Sequence, residues 1–261
     1  MNRIKLTFLC AVMALLVPVS TLQAEGWGNL KIRFVYDGDA PPKAEFADLN
    51  KDQAYCGKFK PVDESLLINA ENKGIANVIV YVRTKDVAIH PDFEKLVKIP
   101  VKMENRGCRF EPHVALLWTK RTLHLSNGDT VGHNTAVSTF FNDPINPLIP
   151  PGGVVKKPYP AEERLPAKVT CSIHRWMASW LVIRDNPYAA AADKNGLIEI
   201  KNLPVGELEF QVWQEKAGYI SKVKVDGTPA EWLRGRTKIT IEAGKTKDLG
   251  DVLVNAILFK K

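Results

Sequence analysis

The stretch Val169-Thr-Cys-Ser-Ile-His-Arg-Trp-Met-Ala-Ser-Trp-Leu-Val-Ile-Arg184 consists of a β-rich run, a seven-residue loop and a second β-rich run. The loop from Cys171 to Met177 carries a thiol, an imidazole and a thioether. These soft donors suit copper or zinc and are poorly suited to magnesium or calcium. We therefore expect a strand that ends at Cys171 and a tight loop that brings His174 and Met177 to one side of a metal ion.

A second imidazole is available upstream at His133, shortly after the turn signal Asn127-Gly128-Asp129. Two histidines, one cysteine and a weak axial methionine are the donor set of a blue-copper electron-transfer site. The residue after His133 is Asn134, whose amide is predicted to hydrogen-bond the cysteine loop and orient the ligands. Zinc is the main competitor, but structural zinc prefers more cysteines and methionine is a poor zinc ligand. The pattern therefore favours a single copper ion that alternates between Cu(I) and Cu(II).

The chain has four cysteines, and Cys10 lies in the apolar N-terminal run. The three that remain are Cys56, Cys108 and Cys171, an odd number that needs an explanation in an exported protein. The simplest interpretation pairs Cys56 with Cys108 and keeps Cys171 as a metal thiolate. The alternative places Cys171 in a disulfide, in which case there is no metal site.

The N-terminus has the pattern of a secretory signal over residues 1–24, with Arg3 and Lys5 before an apolar run from Leu6 to Val19. The alternative is an uncleaved N-terminal anchor. No later segment is long and apolar enough to cross a bilayer, so we expect no stable membrane insertion after cleavage and a periplasmic or secreted location. The formal charge of +7 falls to +5 without Arg3 and Lys5. The charges are scattered, which argues against nucleic-acid binding.

Short β-rich runs separated by Gly, Pro and Asn turn signals dominate the chain after the signal, so the sequence predicts an all-β fold. The pattern changes after Asn186-Pro187. We therefore expect a copper domain over residues 25–186 and a small β-sandwich over residues 187–261. The proline-rich stretch 142–166 cannot be mostly central strand, and it is expected to wrap beside the loops that carry His133 and Cys171 or to form a mobile excursion.

These motifs resemble those of cupredoxins of the plastocyanin and azurin kind. The closer resemblance is to exported cupredoxin-like proteins labelled methylamine-utilisation proteins, which share the pattern Cys-x-x-His-x-Trp-Met. The resemblance implies a Greek-key β-sandwich with His133, Cys171, His174 and Met177 as copper ligands. It also implies that His174 is the electron port, with Trp176 lending apolar surface beside it. Fewer residues separate His174 from Met177 than in plastocyanin, which leaves open whether Met177 or water takes the axial position.

The C-terminal segment is similar to the small transthyretin-like sandwiches found as regulatory domains of carboxypeptidases. This resemblance rests on residues 193–196 and on Leu203-Pro204-Val205-Gly206, continuing to Trp213. It implies an accessory role in packing or partner contact.

The sequence thus favours one-electron transfer to or from a redox partner protein. A copper storage or delivery protein and a metal-independent interaction module are the alternatives. An enzyme is not expected, because the sequence offers no second metal site and no catalytic acid. A thiol protease would pair Cys171 with a histidine but would not need Met177 in the same loop.

Overall fold

The structure, a computed structural model, describes residues 26–39, 45–46 and 49–260. The predicted signal segment 1–24 lies outside the described residues. The described part contains one α-helix, α1 (Gln53–Cys56), and 3-10 turns at Gly57–Phe59, Pro91–Leu96, Leu233–Gly235 and Ala256–Phe259. No helix in this described part has the length and hydropathy needed to cross a bilayer.

Strands are the main secondary structure of the described chain and far outnumber its helical turns, which confirms the predicted all-β class. In chain order they are β1 (Trp27–Asp37), β2 (Ile79–Val82), β3 (Val101–Asn105), β4 (Phe110–Glu111), β5 (Val114–Trp118), β6 (Thr122–Asn127), β7 (His133–Asn134), β8 (Ala136–Ser138), β9 (Leu148–Ile149), β10 (Val154–Pro158), β11 (Ala167–Thr170), β12 (Ala178–Arg184), β13 (Ala189–Ala191), β14 (Leu197–Pro204), β15 (Gly206–Gln214), β16 (Gly218–Tyr219), β17 (Lys222–Val225), β18 (Thr228–Glu231), β19 (Arg236–Ile241) and β20 (Thr246–Asn255).

One β-sandwich, here called the terminal sandwich, draws its strands mainly from the two ends of the described chain. Its sheets have the orders β14-β1-β20-β17-β18 and β13-β2-β15-β16, and β19 also pairs with β15. Apolar and polar side chains alternate along β1, so that one face of the strand lies on the core of this sandwich. Leu30, Ile32 and Phe34 are fully buried, whereas Lys31 is exposed.

The other sandwich, here called the central sandwich, uses the middle of the chain. Its sheets have the orders β10-β6-β3-β4 and β5-β12-β11-β8, and β7 and β9 form a separate short pair. Leu123 and Leu125 of one sheet and Val169 and Leu181 of the other belong to one apolar core. The loop Cys171–Met177 joins β11 to β12 at one end of this sandwich.

The strand pairing departs from the predicted division at Pro187. Strand β1 pairs with β14 and β20, and β2 pairs with β13 and β15, so both N-terminal strands belong to the terminal sandwich. The local sequence cannot show which distant strands β1 and β2 pair with. The physical reason is that strand pairing depends on long-range register rather than on local composition.

The two sandwiches pack against each other through a third apolar cluster. Tyr81 and Trp213 of the terminal sandwich lie with Val114 and Val182 of the central sandwich in this cluster. The indole rings of Trp180 and Trp213 meet edge to face, with centroids 4.7 Å apart. Such aromatic contacts add specific geometry to the area buried.

Candidate metal centre

His133 is held by the turn that precedes it. The buried Asn127 side chain donates from Nδ2 to the carbonyls of Val131 (2.8 Å) and Ile149 (2.9 Å), and its Oδ1 accepts from the N–H of Asp129 at 2.9 Å. His133 then pairs with Ile149 of β9. The proline-rich stretch thus supplies β9 beside His133 and an edge strand, β10, to the sheet.

The cysteine loop is closed by its own backbone. The N–H of Met177 donates to the carbonyl of His174 at 2.9 Å, and the N–H of Cys171 donates to the carbonyl of Met177 at 3.2 Å. Asn134 Oδ1 accepts from the backbone N–H groups of Ser172 (2.7 Å) and Ile173 (3.2 Å). Asn134, which directly follows His133, therefore holds the cysteine loop close to that histidine, as an orienting amide would.

Three donor atoms converge at this point of the fold. One ligand atom from each of His133, Cys171 and His174 lies within 4.8 Å of the other two, and all three side chains are buried. Cys171 Sγ is 3.8 Å from His174 Nδ1, and the two imidazole centroids are 4.6 Å apart. Donors bound to one ion at roughly 2.0–2.3 Å lie at most about 4.5 Å apart. The three side chains therefore need only small adjustments to share an ion.

An unpaired nitrogen supports a metal in this position. His133 Nδ1 is buried and has no hydrogen-bond partner among the described residues. A buried polar atom without a partner is costly, so it calls for a missing ligand or ion. A cation bound by Cys171 and His174 would satisfy it.

A carboxylate fixes the orientation of each imidazole. Asp129 Oδ2 lies 2.9 Å from His133 Nε2, and Asp52 Oδ2 lies 2.9 Å from His174 Nε2. When Nε2 donates its proton to the carboxylate, Nδ1 carries the free lone pair, which is the form that binds a metal. Neither of these two aspartate contacts is predicted from the sequence. Asp129 has the signal of lying four residues before His133, whereas nothing in the sequence connects Asp52 to His174.

The electrostatics favour a thiolate at Cys171. Burial alone would raise the pKa of this thiol, but the neighbouring His133 and His174 and the backbone N–H groups beside it outweigh burial and lower the pKa to about 6. Burial would lower the pKa of His133, yet Asp129 and Cys171 raise it. Burial would also raise the pKa of Asp129, but His133 and the N–H groups of Cys108 and Gly107 lower it to about 2. A thiolate is the form that binds a soft metal ion.

Met177 and Trp176 flank the three donors. Met177 is 2% exposed and ends the cysteine loop, where the sequence predicts an axial ligand. The Trp176 ring centroid is 5.1 Å from that of His174, and its Nε1 donates to the carbonyl of Cys108 at 3.0 Å. His174, predicted as the electron port, is fully buried beneath Asp52, so its ring edge does not itself form the surface.

The disulfide Cys56–Cys108 confirms the predicted pairing, with a Cα–Cα distance of 5.5 Å. Cys171 is a free, buried cysteine, so the alternative that places it in a disulfide is wrong. Cys56 ends α1, and Asp52 lies immediately before this helix at its N-cap position. The disulfide therefore anchors the segment that carries Asp52 to the core below the candidate metal centre.

A third buried histidine, His113, has a different environment. Its Nε2 lies 2.8 Å from Glu215 and its Nδ1 lies 3.6 Å from Glu64. Burial would lower its pKa, but the two glutamates outweigh burial and raise it to about 9. His113 lies directly before β5 of the central sandwich and Glu215 directly after β15 of the terminal sandwich, so this ion pair joins the two. His113 thus lies in a charged contact between the two sandwiches, outside the candidate metal centre.

No protein-family model matches the chain, and no curated protein matches its sequence. Among solved structures, amicyanin from Paracoccus versutus is similar at 11% identity and a TM-score of 0.30, over 40% of this chain and 97% of that one. A purple cupredoxin from Nitrosopumilus maritimus is similar at 18% identity and a TM-score of 0.26, over 32% of this chain and 99% of that one.

A copper-containing nitrite reductase from Thermus scotoductus is similar at 19% identity and a TM-score of 0.29, over 40% of this chain. The match spans only 25% of the nitrite reductase chain. Identities and TM-scores this low carry no weight for function. Any functional assignment therefore depends on the converging donors themselves.

Proposed function

We propose that this protein binds one copper ion through His133, Cys171 and His174 and carries one electron at a time. The observation that supports this is the convergence of three buried soft donors within 4.8 Å, one of which, His133 Nδ1, has no described partner. Copper held by two imidazoles and a thiolate supplies reversible one-electron chemistry. Met177 is the proposed axial ligand, since it is buried at the end of the same loop.

The residues around the donors are suited to hold them still. Asp129 and Asp52 fix the two rings, and Asn134 fixes the loop between them. The donors are buried, which excludes bulk water from their surroundings. A rigid, dry set of ligands keeps the rearrangement small when the charge at the site changes. Trp176, beside the ring of His174, is the proposed route by which electrons reach the surface.

A carrier is proposed rather than an enzyme because the described residues offer one soft site. The other described cluster of histidine, cysteine and aspartate contains Cys108, whose sulfur is bound in the disulfide. An exported, periplasmic or secreted location and a redox partner protein are parts of the same proposal. They are supported by the signal-like N-terminus and by a disulfide, which persists in oxidising compartments.

The test is reconstitution of the mature protein with Cu(II). Wild type is expected to show an intense thiolate-to-copper charge-transfer band, and Cys171→Ser is expected to lose it. His133→Gln should weaken the band, whereas His124→Gln, on β6 and outside the donor cluster, should leave it intact. Identical spectra for wild type and Cys171→Ser would contradict the proposal.

Copper storage or delivery is a second candidate, favoured by the burial of His174 beneath Asp52. A storage protein does not need an exposed ring edge for electron exchange. Protein-film voltammetry separates the two functions, since a carrier should cycle reversibly with rapid electron exchange. A storage protein should instead exchange electrons slowly and release its copper readily to a chelator.

A further inference from the structure

A cleft between the two sandwiches is lined mainly by basic side chains. Its volume is about 340 Å³, and its basic residues are Arg83, Lys85, Arg164, Arg184 and Arg236. Arg83 and Lys85 follow β2, and Arg236 begins β19, so these three come from the terminal sandwich. Arg164 precedes β11 and Arg184 ends β12, so these two come from the central sandwich. We refer to this cavity as the basic cleft.

The positive charge of the basic cleft is only partly neutralised by the protein. Glu162, which also lines the cleft, pairs with Lys85 and, at 2.9 Å, with Arg184. Arg83 pairs with Glu209 at 3.0 Å, and Lys85 also lies 3.2 Å from Asp185. Five basic groups thus face three carboxylates.

Arg164 and Arg236 carry the surplus. Neither has a carboxylate within ion-pair distance among the described residues, and both are exposed. Arg164 instead stacks over the ring of Phe141, with 5.1 Å from Cζ to the centroid. Their guanidinium groups are therefore free to bind an anion that enters the cleft.

Arg184 adds a buried donor to the wall of the cleft. It is 5% exposed, its Cζ lies 4.5 Å from the centroid of the Tyr81 ring, and its Nη1 donates to the carbonyl of Glu163 at 3.1 Å. Its Nε is buried and has no acceptor among the described residues. The positive charge of Arg184 therefore lies in the wall of the cleft, where Glu162 offsets it only in part because Glu162 also pairs with Lys85.

We propose that the basic cleft binds a small polyanion with two or more carboxylate or phosphate groups. Guanidinium groups match the geometry of such oxyanions and bind them with charge-assisted hydrogen bonds. The volume of the cleft suits a small molecule. The two guanidinium groups without an ion-pair partner among the described residues, those of Arg164 and Arg236, favour a ligand with more than one negative group. Because the basic groups come from both sandwiches, the ligand would bridge them. This site is distinct from the candidate metal centre and does not depend on copper.

The test is titration calorimetry of the full mature chain at low ionic strength with citrate and, separately, with pyrophosphate. We expect saturable binding of at least one of them. The tighter binder identifies the class as carboxylate or phosphate. Sodium chloride at matched ionic strength serves as the blank for non-specific screening.

The variant Arg164→Gln/Arg236→Gln should weaken binding about tenfold or more, because it removes two charge-assisted contacts. Glu162→Gln should strengthen binding, because it removes the one carboxylate among the described residues that line the cleft. Lys201→Gln/Lys245→Gln removes the same charge from exposed positions outside the cleft and should leave the affinity unchanged. Circular dichroism checks that each variant folds.

The proposal is overturned if neither anion binds wild type. It is also overturned if the control pair weakens binding as much as the cleft pair does. In both cases the excess charge would be an ordinary solvated surface.

Discussion

Single carboxylates control the candidate ligands at the residue scale. Asp129 is buried and also accepts the N–H groups of Gly107 (2.6 Å) and Cys108 (2.9 Å), so it supports the surrounding loop as well as His133. Asp52 has a side chain that is 31% exposed and covers His174. Each histidine is thus held by a carboxylate, but the carboxylate of Asp129 is buried and that of Asp52 is partly exposed to solvent. Asp52 is the better position at which to separate ligand orientation from folding.

We predict that Asp52→Asn lowers the affinity for Cu(II) by about 10- to 100-fold, the usual effect of losing a carboxylate behind a ligating histidine. The amide keeps the size of the side chain but not its charge, so the fold should persist. Competition with a chromogenic chelator measures the affinity, and Asp248→Asn, on the exposed face of β20, is the control. Equal affinities for wild type and Asp52→Asn would show that this carboxylate does not orient His174.

His113 predicts a stability that depends on pH. Its pKa is raised from the ordinary 6.5 to about 9 in the folded protein, so protonation of His113 favours folding. This contribution is fully present below about pH 6.5 and is lost as the pH rises through about 9. At 1.36 kcal/mol per pKa unit, it is worth about 3 kcal/mol.

Urea unfolding at pH 6 and at pH 9.5 measures this effect. Wild type should lose about 3 kcal/mol more stability across this range than His113→Gln does. His124→Gln, which removes a histidine without such a pair of glutamates, should behave like wild type. A His113→Gln variant with the pH profile of wild type would rule out the linkage.

At the element scale, the disulfide holds α1 and its neighbouring Asp52 against the central sandwich. The closed loop spans a separation of 52 residues, and a loop of this size is worth about 4 kcal/mol in the chain-entropy model. We predict that Cys56→Ser/Cys108→Ser loses stability of this order and also binds copper more weakly, because the segment that carries Asp52 is released.

Thermal unfolding of the metal-free proteins measures the first effect. Cys171→Ser is the matched control, since it makes the same substitution at a buried cysteine without removing a cross-link. If the double variant unfolds at the temperature of the control, the disulfide does not stabilise this region.

The elements that the sequence could predict are those specified by local pattern. The spacing of Cys171, His174 and Met177 predicts the cysteine loop, and Asn127-Gly128 predicts the turn before His133. The contacts of Asp52 could not be predicted, because they depend on the disulfide and on a chain separation of 122 residues from His174. The burial of His174 was missed for the same reason, since the segment that covers it lies far away in sequence.

At the scale of the whole molecule, the chain passes repeatedly between the two sandwiches. Strands β1 and β2 join the terminal sandwich, whereas the segment between them supplies Leu49 and Cys56 to the core of the central one. Composition marks a change near Pro187 but carries no information about these crossings. The strand pairing therefore groups β1 and β2 with strands that follow Pro187 and not with the rest of residues 25–186.

We predict that the fragment 25–186 does not form a stable monomer. It retains β1 and β2 but lacks their partners β13, β14, β15 and β20. The apolar side chains of these strands, including Ile32 and Phe34, would then be exposed to solvent and promote aggregation. Size-exclusion chromatography against the chain 25–261 measures this, and a soluble monomeric fragment would contradict the expectation.

The parallel pairing of β1 with β20 has a mechanical consequence. The ladder runs from Asn29 beside Thr246 to Asp37 beside Asn255. Tension applied to residues before β1 and after β20 pulls these two strands in opposite directions along their length. Because the start of β1 and the end of β20 lie at opposite ends of this parallel ladder, the load falls on its hydrogen bonds together, in shear, and does not open them one by one. When the chain is stretched from both ends, this ladder would therefore bear the force first, and the strands between β1 and β20 would stay folded until it breaks.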